Sequence, residues 1–199
     1  MATNTFSPAQ IKTGPGVIRY AVLGTAIPTV AAAASKLTAT WAAGWVDVGG
    51  TDNGLGYTEG TTTEEVRIAE SVYPVKTNTT GKTGRIAFVM SQVSDTNWQL
   101  AMNGGTITVS GTGATKLSSY LPPLIGAERR VMMSFQSLDD EEIIVWPQVF
   151  NVGSVETARP ALGAEKHGLP VEFGVELPDT AVLTRPYQRW TAGALAASV

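Results

Sequence analysis

Short stretches in which every second residue is apolar recur along the chain. The clearest run from Val171 to Leu177 and from Ile86 to Met90. Successive side chains of a strand point to opposite faces of a sheet, so a period of two indicates half-buried β-strands. Further strands are predicted at residues 17–23, 45–48, 61–70, 72–76, 106–109, 130–136 and 143–150, the last two as a hairpin. The pattern therefore predicts a mainly β fold, a β-sandwich or barrel of two packed sheets.

One segment follows helical spacing instead. Trp98, Ala101 and Met102 fall on one face of a helix, which Ser94 or Asp95 can cap and which residues 103–105 (Asn-Gly-Gly) would end. We predict that a single helix over residues 94–102 flanks the sheets. The alanine-rich stretch 28–40 is a weaker candidate for a short helix, because its threonines lower helix propensity. Residues 78–84 are predicted to form a turn.

A dense cluster of turn residues separates the predicted strands 45–48 and 61–70. We interpret this region as a long hairpin with a flexible tip, formed by Gly49, Gly50, Thr51, Asp52, Asn53 and Gly54. Residues 1–16 are polar and interrupted by proline and glycine, which predicts an N-terminal arm. Residues 17–183 are predicted to form one domain, and residues 184–199 a C-terminal arm.

Composition narrows the possible functions. The chain has 199 residues, of which 43% are hydrophobic and 16% charged, which suits a core-forming chain with an unusually uncharged surface. It contains no cysteine, which excludes disulfides, thiolate metal sites and cysteine nucleophiles. A net charge of −3 argues against a protein that reads DNA sequence. The N-terminus does not resemble a signal peptide, and we expect no membrane insertion, because the apolar stretch 21–34 is interrupted by glycine and proline.

No motif supports catalysis. Gly81-Lys82-Thr83 lacks the earlier glycine of a phosphate-binding loop, since Lys76 stands there, and a strand follows instead of a helix. His167 is the only histidine, so no histidine pair can bind a metal, and a solvated loop position is favoured over a catalytic base. The run 139–142 lacks the spacing of a calcium loop; a solvated turn is favoured, and carboxylates facing a DNA conduit are a further alternative. We therefore expect no enzyme and no cofactor.

Charge is distributed unevenly along the chain. Residues 41–70 contain six acids and one base, a net charge of −5, whereas residues 71–130 contain six bases and two acids, a net charge of +4. Opposite charges on different parts of one chain suit head-to-tail self-assembly. Chance segregation of charge is the alternative.

The order of these features resembles the major tail tube proteins of long-tailed bacteriophages, particularly those with non-contractile, siphovirus-like tails. A first strand closed by Gly24-Thr25 is followed by Trp41, Trp45 and the glycine-rich run, the acidic strand around Glu64 and Glu65, and the hydrophobic strand and helix that end near Asn103. The resemblance covers roughly residues 15 to 180. It implies a structural virion protein rather than an enzyme.

The resemblance also implies how such a protein works. Six copies would form a ring, and rings would stack into a tube that delivers the genome into the host cell. The hairpin within residues 45–70 would contact the next ring, and both arms would contact neighbouring subunits. Partners would be further copies of the chain, the tape measure protein, the tail terminator and DNA in transient, non-specific passage. The protein would assemble in the bacterial cytoplasm and end in the virion. A channel wall that repels phosphates would be acidic, and the candidates are Glu64, Glu65, Asp139, Asp140, Glu141 and Glu142.

Two alternatives remain open at this point. Related ring-forming proteins, such as a secretion tube protein, a tail terminator or the tube of a gene-transfer particle, share the same logic. A carbohydrate-binding β-sandwich is the alternative from another class, in which Trp45, Tyr57 and Asn53 would stack on and hydrogen-bond to sugars.

Overall fold

The computed structural model describes residues 15–52, 54–156, 168–178 and 183–196. These residues form twelve strands and one α-helix, so the predicted mainly β fold with a single helix is confirmed. The strands are β1 (Gly16–Val22), β2 (Thr29–Ala33), β3 (Lys36–Thr40), β4 (Val46–Asp47), β5 (Gly56–Val66), β6 (Lys76–Met90), β7 (Thr106–Ser110), β8 (Leu117–Leu121), β9 (Val131–Ser137), β10 (Glu142–Asn151), β11 (Leu169–Val175) and β12 (Gln188–Thr191); the helix is α1 (Asp95–Ala101).

Eight of the strands form one antiparallel sheet in the order β4-β1-β9-β10-β11-β6-β5. The eighth, β12, pairs with residues 142–145 of β10, while β11 pairs with residues 149–151 of the same strand. Among the described residues this sheet is not a closed barrel, because β4 and β5 remain as its two edges. Two separate two-stranded sheets, β2–β3 and β7–β8, complete the fold.

Both faces of the central part of the main sheet are covered. On one face the alternating residues of β6 and β11 meet, with the rings of Phe88 and Phe173 stacked at 6.0 Å between centroids, and Leu100 of α1 joins this core. On the other face Ile143 and Val145 of β10 pack against Leu37 of the β2–β3 hairpin. The sheet β7–β8 contacts the outer side of α1. The main sheet therefore has buried apolar side chains on both of its faces and not on one face alone.

Capping and side-chain hydrogen bonds place α1 on the sheet. Ser94 Oγ accepts a hydrogen bond from the backbone N–H of Asn97 at 3.2 Å, as expected for an N-cap. The buried Asn97 side chain donates to the backbone oxygens of Val48 and Gln92. After the helix, Asn103 has a φ of 56°, the left-handed conformation that ends helices. The predicted helix over residues 94–102 is therefore confirmed.

Three local predictions were wrong. The strand expected at residues 72–76 does not form, because residues 67–75 connect β5 to β6. Residues 28–40 form the hairpin β2–β3 and not a helix; its turn residues Ala34 and Ser35 have φ values of 50° and 65°, as in the tight turns that match strand twist. Residues 78–84 are not a turn but the middle of β6. Their threonines suit a strand, and Gly81 pairs with Thr62 of β5. This polar stretch thus gains a ladder, interrupted by a register shift at Thr80, that local sequence does not reveal.

The prediction of a hairpin with its tip at Gly49–Gly54 was also wrong. Strand β4 pairs with β1, and β5 pairs with β6, so the glycine-rich segment does not connect two paired strands. Instead it crosses to the end of β6, where Ser91 N donates to Gly50 O at 2.9 Å and Asp52 N donates to Val89 O at 3.1 Å. Asn53 lies outside the described residues. The long hairpin of this fold is β5–β6, connected by residues 67–75.

The predicted arms lie partly outside the described residues. Of the N-terminal arm only residues 15–16 are described, and Gly16 begins β1. Within the expected C-terminal arm, Gln188–Thr191 forms β12 of the main sheet, and Arg189 makes an ion pair with Glu142. No helix among the described residues is long and apolar enough to cross a membrane.

Candidate assembly surfaces

The β5–β6 hairpin extends beyond the rest of the sheet. Strand β11 pairs with β6 only as far as Gly84, so residues 60–83, here called the distal hairpin, have no other strand beside them among the described residues. The side chains of Thr61–Val66 and Lys76–Thr80 are all exposed, which leaves both faces of the distal hairpin open. A two-stranded hairpin alone is marginally stable in water. The distal hairpin is therefore a candidate for association with other chains.

The tip of the distal hairpin is apolar. Val72 and Tyr73 are 89% and 80% exposed, and Val66, Ile68 and Val75 are also exposed. Hydrogen bonds from Val75 N to Val66 O (2.9 Å) and from Ser71 N to Ile68 O (3.2 Å) hold the connection in shape. From Gly84 to Lys76 the strand extends about 26 Å at about 3.3 Å per residue. An apolar surface is thus presented well away from the core.

Aromatic residues fix the root of the distal hairpin. The ring of Tyr57 packs on Trp146 and Tyr187, with centroids 5.5 and 5.8 Å apart. The hydroxyls of Tyr57 and Tyr187 each donate to Glu59 Oε2 at 3.4 Å, and Lys82 Nζ lies 3.5 Å from Glu59 Oε1. Burial, followed by the negative charge of Glu59, raises the pKa of Tyr57 to about 12. The core and the C-terminal segment together set the direction in which the hairpin projects.

Glu64 and Glu65 lie on the distal hairpin and are both exposed. As adjacent strand residues they point to opposite faces. This part of the hairpin has no core on either face, so neither carboxylate faces the core of its own subunit. Glu65 makes an ion pair with Arg67 at 2.7 Å, whereas Glu64 has no ion pair with any residue the structure describes.

The acidic run 139–142 occupies the turn between β9 and β10. Asp140 has a φ of 58°, and its side chain accepts a hydrogen bond from Gln136 Nε2 at 3.0 Å. Its backbone oxygen accepts from Leu37 N, and that of Glu141 accepts from Ala192 N. Glu142 pairs with Arg189. The turn therefore joins the β2–β3 hairpin and the segment around β12 to the main sheet. A turn that was only solvated would not make these contacts.

Sheet topology gives the molecule two distinct ends. Strands β6 and β10 both run antiparallel to β11, so they run parallel to each other and begin at the same end of the sheet. That end contains the acidic turn 139–142 and the distal hairpin with Glu64 and Glu65. The segment Gly49–Gly54 lies at the opposite end, beside Val89 and Met90. Glu65 and Asp139 are more than 70 residues apart in the sequence, and only the strand pairing brings the two acidic clusters to the same end of the sheet.

Two other kinds of site, a metal site and a sugar-stacking surface, can be compared with the described residues. They contain no group of three His, Asp or Glu side chains that could hold a metal ion, and His167 lies outside them. Trp45 packs edge-on against Trp41 beside the β2–β3 hairpin, whereas Tyr57 packs on Trp146 in the other core. The two aromatic residues thus do not form the sugar-stacking surface that the carbohydrate-binding alternative requires.

Open strand edges and a protruding hairpin are surfaces through which a mainly β domain can associate with another chain. Comparison with known families makes the assignment specific. Residues 1–173 match the family model of phage tail tube proteins, and the chain belongs to this family. No curated protein matches the chain. Family membership identifies a structural component of the virion tail that assembles with itself and with other tail proteins.

Proposed function

We propose that six copies of this chain form a ring, that rings stack into the tail tube, and that the tube is the conduit for genome delivery. The observation that carries the proposal is the distal hairpin, which has open edges, no core of its own and an apolar tip. In a tube, neighbouring copies cover surfaces of this kind. The number of six follows from the resemblance of the sequence to major tail tube proteins.

Ring formation is supported by the open edges of the main sheet. Strand β5 has eleven residues and no partner on its outer side among the described residues, and β4 is the opposite edge. An exposed edge presents unpaired backbone N–H and C=O groups that another strand can bind. Closure of a ring satisfies every edge and fixes the number of copies.

Stacking is supported by the two distinct ends of the sheet. The apolar tip projects from one end, and the proposed contact segment Gly49–Gly54 lies at the other. A tip from one ring would therefore face the glycine-rich end of the next. We therefore still propose that Gly49–Gly54 contributes to stacking, as part of the surface that the tip from the neighbouring ring contacts.

An acidic channel is supported by charge. Six copies with a net charge of −3 each give a ring of −18, which repels DNA phosphates and keeps the genome from binding to the wall. Glu64 is the best lumen candidate, because it is exposed and has no ion pair with a described residue. Glu65 and Glu142 are weaker candidates, since Arg67 and Arg189 neutralise them.

The same proposal includes the partners and the place of assembly. We propose that the tube binds the tape measure protein and the tail terminator, forms in the host cytoplasm and belongs to a non-contractile tail. Family membership favours a tail tube over a secretion tube, a tail terminator or the tube of a gene-transfer particle.

Electron microscopy of the purified protein tests the proposal. We expect the native chain to form six-fold rings and tubes, and Tyr73→Asp to stop at single rings, because a carboxylate at the tip opposes apolar burial. The matched control Tyr73→Phe keeps the apolar ring and should form normal tubes, and circular dichroism should show that both variants are folded. A native chain that stays monomeric at high concentration would contradict the proposed function.

A further inference from the structure

A second exposed apolar surface lies between β8 and β9. The segment 121–127, here called the apolar loop, has the sequence Leu-Pro-Pro-Leu-Ile-Gly-Ala. Leu124 is 81% exposed and Ile125 is fully exposed. Soluble monomers rarely expose a contiguous patch of large apolar side chains unless it is an interaction site. Beside the loop is a groove of about 480 Å³, whose lining includes Leu121, Pro122, Pro123, Leu124, Ala127 and Arg129.

The apolar loop is held in place. Ala127 N donates to Leu124 O at 2.9 Å, and Arg129 N donates to Asn103 O at 2.6 Å, just after α1. The hydroxyl of Tyr120 donates to Gly104 O at 2.8 Å. Two consecutive prolines also restrict the backbone. A partner that binds here meets a preformed surface and pays little of the ordering entropy that a flexible loop would cost.

The loop and the tip of the distal hairpin are far apart in one chain. Asn103 and Ala101 bind Asn151, which pairs with Phe173, and Phe173 pairs with Ile86 of β6. The helix end and the loop attached to it are thus level with Ile86. Lys76, next to the tip, lies ten residues earlier on the same strand, or about 33 Å away at about 3.3 Å per residue. The tip therefore cannot occupy the groove of its own chain.

We propose that the groove beside the apolar loop receives the tip of the distal hairpin from a second copy of this chain in the adjacent ring. The proposal rests on the proposed function and adds the surface to which the tip binds. Val72 and Tyr73 supply the apolar side chains that the groove would bury, and one tyrosine buries about 150–250 Å² when enclosed.

Charge favours the same pairing. Residues 64–75 contain three acids and one base, a net charge of −2, whereas residues 116–130 contain three bases and one acid, with Arg130 paired to Glu176. Arg129 borders the groove, where its guanidinium would meet an incoming carboxylate such as Glu70. Opposite potentials on the two partners steer them together and select their orientation.

The geometry of the contact explains polymerisation. Tip and groove are different surfaces at different levels of one molecule, so the contact is heterologous. A heterologous contact whose rotation does not close produces an open, repeating stack. Each ring then has free tips on one side and free grooves on the other.

Cysteine cross-linking tests the pairing directly, because the chain contains no cysteine of its own. We expect the double variant Tyr73→Cys/Ile125→Cys, assembled and treated with a short bis-maleimide, to give a ladder of covalent oligomers on a denaturing gel. The control Tyr73→Cys/Leu138→Cys places the second thiol at an exposed residue of the β9–β10 turn and should give no ladder. Assembled tubes without a 73–125 ladder, or with an equal 73–138 ladder, would overturn the proposal.

Mixing two variants tests the polarity and separates the two proposals. Rings of Tyr73→Asp keep the groove, and rings of Leu124→Asp, which alters a residue of the groove lining, keep the tip, so each alone should fail to stack. Their mixture should form pairs of rings and no longer tubes, because only one kind of contact remains. Normal tubes of Leu124→Asp would refute the groove and leave the proposed function intact. Failure of the native chain to form any ring would refute the proposed function itself.

Discussion

Asn151 joins the helix to the sheet, and its replacement should cost about 2–3 kcal/mol of unfolding free energy. Its buried side chain donates from Nδ2 to Ala101 O at 2.5 Å and accepts from Glu172 N at 3.1 Å and Gly153 N at 3.2 Å. In Asn151→Ala, Gly153 N keeps a second acceptor, Glu172 O, but Ala101 O and Glu172 N lose these bonds. Loss of the part-buried bond from Glu172 N costs about 0.5–1.5 kcal/mol, and leaving the buried Ala101 O unsatisfied costs about 1–3 kcal/mol, which together give about 2–3 kcal/mol.

Urea unfolding followed by tryptophan fluorescence measures this effect. With a slope of about 2–3 kcal/mol per molar urea, the midpoint should fall by about 1 M. Asn78→Ala is the matched control, since Asn78 is exposed on the distal hairpin and its loss should change stability by less than about 0.5 kcal/mol. If Asn151→Ala unfolds at the same urea concentration as Asn78→Ala, the hydrogen bonds assigned to Asn151 do not hold the helix on the sheet.

Two further predictions concern pH and the channel. The pKa of Tyr57, raised from 10.0 to about 12, means that the stability it contributes is present below pH 10 and is lost as the pH rises through 12. When the ionisation of tyrosines is followed by absorbance at 295 nm, the step at the highest pH should therefore be missing in Tyr57→Phe. An unchanged titration would refute this. Glu64→Lys should leave tubes intact but slow genome delivery in phage infection, because cationic walls bind phosphates; Glu64→Gln is the control, and normal infection by the lysine variant would remove Glu64 from the channel wall.

The two ends of the sheet differ, which gives a physical basis for a tube whose two ends also differ. The distal hairpin and the acidic turn 139–142 lie at one end, and the apolar loop and Gly49–Gly54 lie nearer the other. The apolar side chains at the tip and in the loop are exposed to water in the isolated subunit, and their burial requires another chain. Stability of the assembled tube should therefore depend on contacts that the isolated subunit cannot make.

Period-two alternation and local capping signals determined much of the fold. The hairpin β9–β10, the strands around Ile86 and Val171, and helix α1 were all predicted, because burial on one face or an N-cap leaves a signature within a few residues. The resemblance to tail tube proteins rested on the order of such features and is confirmed by the family match.

Strand pairing was decided only by the tertiary structure. Which strand β4 and β5 each join depends on contacts between distant segments, so the glycine-rich run 49–54 was placed at a hairpin tip, whereas the tip is formed by residues 67–75. Residues 78–84 look like a turn because they are polar, and they are a strand because β5 completes their backbone hydrogen bonds. The apolar loop was not predicted as an interaction surface, because only the fold shows that Leu124 and Ile125 are exposed. A short sequence pattern records which side of a strand meets a core, but hydrogen bonds between segments far apart in sequence decide where that strand lies.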